Sequence, residues 1–167
     1  MHAMDTTVHS FAYTMAYLRE QVADVPAERI ADQARGVRNH PAWVMGHLTH
    51  TCEVLGGVIG LEAWLARHWE SRYGTGSVAL DGAGAYEPKD ELVAATLDAE
   101  SRLIAAVRGL PVTRLAEPFP DAALLEVFPT IGHALTQVMV GHAAFHVGQV
   151  SVWRKAMGFG AMRRVYE

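Results

Sequence analysis

The chain has 167 residues, half of them hydrophobic and 19% charged, with a formal net charge of −4. That length suits one domain with a sizeable core, and that composition excludes a disordered chain. The mild negative charge excludes a general attraction to nucleic acid or to an anionic membrane surface.

Apolar residues recur at helical spacing in four places, and no stretch shows the sustained alternation of a strand. The first predicted helix covers about Asp5 to Ala23, where Phe11, Met15, Leu18 and Val22 make one stripe. Pro26 and the polar segment around Asp32, Arg35 and Asn39 form the connection. The second helix begins near Pro41, a residue suited to a first turn because its missing amide proton would be unpaired there. It is expected to run to roughly Tyr73, with Trp43, His47, Val54, Val58, Leu61 and Leu65 on one side. Gly56, Gly57 and Gly60 weaken it locally and predict close helix contact or a kink.

Gly74, Gly76, Gly82 and Gly84 mark a long loop ending at Tyr86. It lacks the Lys-Ser/Thr pair and the preceding strand of a phosphate-binding loop, so it reads as a flexible linker. The third helix starts near Pro88, with Asp90 and Glu91 in its first turn. Leu92, Thr96, Ala99, Leu103 and Leu110 trace its buried side, and Gly109 and Pro111 stop it. A loop with Pro118 and Pro120 leads to Pro129 and Thr130, start signals for a fourth helix that ends at Gly158. The basic cluster Arg154, Lys155, Arg163 and Arg164 reads as a solvated helix terminus.

Val127 to Trp153 contains no Asp, Glu, Lys or Arg and is long enough to span a bilayer. It also carries His133, Gln137, His142, His146 and Gln149, polar groups that lipid would penalise. A helix sunk in a protein core is the better reading, with no membrane partner. This segment and Asn39 to Cys52 are expected to be the most buried. Four helices without strands predict an all-α fold, an antiparallel four-helix bundle over residues 1–167 as a single domain. One cysteine, Cys52, excludes an intramolecular disulfide, and no basic segment followed by an apolar run opens the chain. Both point to a reducing, cytoplasmic location.

His142 and His146 stand four residues apart, which puts both imidazoles on one helix face. That face is otherwise apolar, with Leu135, Val138, Met139, Phe145, Val150 and Trp153. Two buried histidines hydrogen-bonded to neighbours are the plain alternative. A metal would satisfy one nitrogen on each ring, and His47, from the second helix, supplies a third ligand. The zinc-protease helix motif is absent, because Ala143 stands where that motif has its Glu.

Two segments carry a resemblance to a known family. Trp43-Val44-Met45-Gly46-His47-Leu48 resembles a Trp-x-x-Gly-His-Leu segment. His142-Ala143-Ala144-Phe145-His146-Val147-Gly148-Gln149 resembles a His-x-x-x-His-x-Gly-Gln run. Both are similar to motifs of the DinB-like (DinB/YfiT-like) metalloenzymes. The resemblance implies an antiparallel bundle with His47, His142 and His146 as ligands of one divalent metal ion, zinc or nickel. It also implies homodimers and transferase or isomerase chemistry on bacterial low-molecular-weight thiols such as bacillithiol or mycothiol.

The neighbours are read two ways. His50 is a candidate fourth ligand or proton donor, or a hydrogen-bonded residue at the helix edge. Gln149 either orients a ligand or bonds another helix. Glu53 is a candidate base or a solvated acid, and Cys52 a small buried hydrophobe. His133 falls on the side opposite His142. Trp43, Trp64, Trp69 and Trp153 are packing residues, any of which can line a pocket above the metal. Three protein ligands leave coordination positions open, as catalytic sites require. The leading expectation is a metal-dependent enzyme acting on a small molecule. The alternatives are a metal-dependent hydrolase and a non-enzymatic metal-binding stress-response protein.

Overall fold

A computed structural model describes residues 3–160 and 162. Among these residues there is no β-strand, only two isolated bridges, Ala34 with Val37 and Pro118 with Thr130. The chain is all-helical. Its helices are α1 (Asp5–Ala23), α2 (Pro41–Val58), α3 (His68–Tyr73), α4 (Lys89–Gly109), α5 (Val112–Leu115), α6 (Ile131–Thr136) and α7 (Ala143–Ala156). A π-helical segment, Gln137–His142, joins α6 to α7 without a break. Helices α2 and α4 pack together, α1 packs on α4 and α7, and α2 also packs on α3 and α7.

The apolar periodicity explains most of this. Helix α1 buries Val8, Phe11, Met15, Leu18 and Val22, the stripe read from its sequence. Helix α4 buries Leu92, Thr96, Ala99, Leu103 and Val107, with Leu110 just beyond it also buried. Thr96 Oγ1 lies 3.2 Å from Thr49 Oγ1, a polar rivet between α2 and α4. Glu100 is buried as well, where it pairs with Arg19 of α1. Helix α2 is buried on every side from Pro41 to Thr49, which its lack of charge permits.

The second helix does not reach Tyr73. It ends at Val58, and Gly60 adopts φ +99°, a conformation that ends helices and suits glycine. The chain then folds back, so that a Cβ on Gly56 would lie 3.0 Å from Leu61 and 3.3 Å from Trp64. Glu53 holds this return: its Oε1 accepts the amides of Trp64 (2.6 Å) and Leu65 (2.5 Å). Glu53 is therefore a half-buried acceptor for two loop amides.

The glycine-rich loop is tethered rather than flexible. Leu80 accepts a hydrogen bond from His40 (2.8 Å), Ser77 from Trp43 (3.0 Å), and Asp81 from the Gln33 amide (2.9 Å). Its Ala79 is buried in the core.

The last helix also departs from expectation. Val127, Val140, Phe145 and Val152 are exposed, Phe145 at 64%. A charge-free segment need not be buried all round, and the buried face of α7 runs through Ala143, His146, Val147, Val150 and Trp153. Arg154, expected in solvent, is 2% exposed. Its guanidinium bonds both carboxylate oxygens of Asp24 (2.6 and 3.0 Å) and the Gln21 carbonyl. Lys155 is exposed, as expected of a helix terminus. Arg163 and Arg164 lie outside the described residues. No described helix is long and apolar enough to cross a membrane.

Candidate metal centre

Three histidines meet where α2 faces the π segment and α7. His47 and His146 are buried and His142 is half-buried. One ring nitrogen from each lies within 4.8 Å of the others. His47 Nε2 and His142 Nε2 are 3.1 Å apart, and the ring centroids are separated by 4.5 to 5.1 Å. Two nitrogens bound tetrahedrally to one ion at about 2.1 Å lie about 3.4 Å apart. The His47 and His142 nitrogens are already near that spacing.

The outward nitrogens explain which atoms point inward. His47 Nδ1–H donates to the Tyr73 carbonyl (2.6 Å), which leaves Nε2 as a lone pair facing the other rings. His146 Nδ1–H donates to Gln149 Oε1 (3.0 Å), and Asn39 Nδ2–H donates to that same oxygen (3.0 Å). Gln149 is thus oriented to accept, and His146 Nε2 is a lone pair too. His142 Nδ1 is buried without a hydrogen-bond partner, so this ring's tautomer is set only by the contact of its Nε2 with His47 Nε2 (3.1 Å). It can supply one proton between two lone pairs, whereas a cation would serve all three nitrogens.

Burial also keeps the rings neutral. It lowers the pKa of His47, and it pushes His142 and His146 down to about 4, helped by repulsion from a charged His47 and, for His146, from a charged His142. Neutral imidazoles are the form that binds metals. His47 is further held by Trp43, whose indole stacks on it at 4.6 Å and 9° and is itself tied to Ser77. Gly46 lets Tyr73 into this arrangement, since a Cβ there would lie 2.1 Å from the Tyr73 ring. The Tyr73 hydroxyl donates to Glu87, which also accepts from Arg72 (2.9 Å) and contacts His68 (2.8 Å).

Residues 10–150 match the family model of the DinB superfamily. The chain belongs to the DinB superfamily. No curated protein matches it. The matched span of this DinB-superfamily chain contains both motifs and all three histidines.

The remaining sequence candidates separate cleanly. His50 stands outside the cluster and lines a cavity beside His142. Gln149 orients His146 and Trp43 stacks on His47, so both hold the clustered rings in place. Cys52 is 3% exposed, and burial raises its thiol pKa to about 12, which leaves it an inert hydrophobe. His133 is exposed and bonds Thr130 (2.8 Å).

Several supporting residues were not visible in the sequence. Tyr73, Asn39 and Glu87 sit 26, 110 and 14 positions from the partners they hold, so only the fold joins them. His40 is another: its Nδ1 accepts the Trp43 amide (3.3 Å) and caps α2, while Nε2–H donates to Leu80.

Proposed function

We propose that this chain is a metal-dependent enzyme acting on a small molecule, built as a single-domain antiparallel four-helix bundle. His47, His142 and His146 hold one divalent ion, zinc or nickel, both of which suit imidazole donors. The observation that carries this reading is the convergence of three neutral rings, two of them locked with Nε2 inward.

When bound, the ion supplies the charge that lets a thiol or a water ionise near neutral pH. The residues of the chain do the rest. Tyr73, Gln149 and Trp43 fix the rings, and burial keeps protons off them. His50, half-buried at the adjoining cavity, is placed to exchange a proton with a molecule entering there. Family membership supports a low-molecular-weight thiol as co-substrate, in S-transfer or isomerisation, with the protein working as a cytoplasmic homodimer.

Elemental analysis of protein purified without a histidine tag tests the centre. One zinc or nickel per chain is expected, and none in His142→Ala. A folded wild-type protein without stoichiometric metal overturns the reading. Thiol-dependent turnover of electrophilic substrates tests the reaction, and turnover with water alone assigns hydrolysis instead.

A further inference from the structure

A cavity of about 270 Å³ adjoins the triad, with His142 in its wall. A larger hollow of about 570 Å³ beside His133 reaches none of the three histidines. The smaller cavity has two different ends. Along α2, His50 and Thr51 stand near the height of His47, and Leu55 and Val58 follow one and two turns further on. His50 and Val58 are about 12 Å apart along the helix axis. Phe119 and Phe128 close the wall from the loop before α6, their rings 5.4 Å apart at 58°. Val138 of the π segment faces them.

No Asp, Glu, Lys or Arg lines this cavity. A charged group placed against Leu55, Val58 and the two phenylalanines would lose its hydration without gaining a counter-ion. The volume bounds the occupant as well, since about 150 Å³ holds a benzene ring and drug-sized sites begin at about 300 Å³. Three members of the lining are exposed, Val54 at 56%, Leu124 at 38% and Thr75, and they mark where the cavity opens to solvent.

We infer that this cavity binds the apolar body of an uncharged small molecule, about one ring with a short chain. The one polar end of that molecule points to His142 and His50. This deepens the metal-centre reading and rests on it for the role of the polar end. It separates the substrate from the thiol, because a thiol carrying carboxylates finds no cation in this lining.

Calorimetric titration of the full chain, both metal-loaded and after chelation, tests the inference with benzyl alcohol and benzoate as probes. In the chelated protein benzyl alcohol is expected to bind at least about tenfold more tightly than benzoate. Val138→Trp, which fills the cavity, and Val58→Lys, which places a charge at its apolar end, are each expected to weaken benzyl alcohol by about tenfold. Circular dichroism and metal content show that the variants fold. Equal affinities for the two probes, or unchanged binding of benzyl alcohol in a folded variant, overturn the inference. Metal content is measured separately, so absence of metal defeats the metal-centre reading without deciding the cavity, which the chelated titration decides.

Discussion

The last helix carries two buried polar clusters, and they are built on opposite principles. Around Arg154, near its C-terminal end, a permanent cation meets the Asp24 carboxylate and two backbone carbonyls, and only its Nε lacks a partner. Around His142 and His146, two turns earlier, neutral rings aim lone pairs at one another with at most one proton to share. Buried polarity by itself therefore does not mark a site. In the Arg154 cluster the charge is met within the chain, although Arg154 Nε and Gln21 Oε1 have no partner. The histidine cluster brings three ring nitrogens to where they could hold one cation, which is why one reads as architecture and the other as a candidate centre.

The contrast can be broken most severely at the triad. His142→Ala should abolish stoichiometric metal while the protein stays folded, as elemental analysis and circular dichroism would show. Gln149→Leu removes the acceptor that holds His146, and should weaken metal binding by about 10- to 100-fold in a competition titration with a chromophoric chelator. Arg154→Met should do the reverse, with metal content unchanged and stability lowered by about 2 kcal/mol in urea unfolding, a moderate figure because Asp24 is largely exposed.

Acid sharpens the same comparison. In the metal-free protein His142 and His146 titrate at about 4, below the ordinary value of 6.5 that they regain on unfolding. Between these values the unfolded chain binds more protons, so stability should be lost as the pH falls from about 6.5 to about 4. The double variant His142→Ala, His146→Ala should flatten that slope. The smallest effect is expected at Glu53→Gln, which weakens the acceptor for two loop amides. It should cost about 1 kcal/mol in thermal or urea unfolding and leave metal content untouched.

Much of this was legible in the residue order. The α1 stripe, the charge-free half of α2, the start of α4 and the four-residue spacing of His142 and His146 are local periodicities. Other readings failed for lack of a partner in view. Val54 does lie on the His47 side of α2, but at that height the facing element is a cavity, so it is 56% exposed. Phe145 is apolar and sits beside His146, yet one residue along a helix is a turn of about 100°, enough to carry it into solvent. Glu53 and Arg154 have charged side chains that usually stay wet, and their partners are 11 and 130 residues away.

By itself, then, the sequence determined where the long helices lie, though not that the second ends at Val58, and which residues are able to bind a metal. Helical period and imidazole chemistry are properties of short stretches and single side chains. Only the tertiary structure decided that His47 meets the other two, that Tyr73 and Gln149 aim the rings, and that an uncharged cavity opens beside them. Those facts depend on contacts between distant parts of the chain, and no local pattern encodes the distance between two helices.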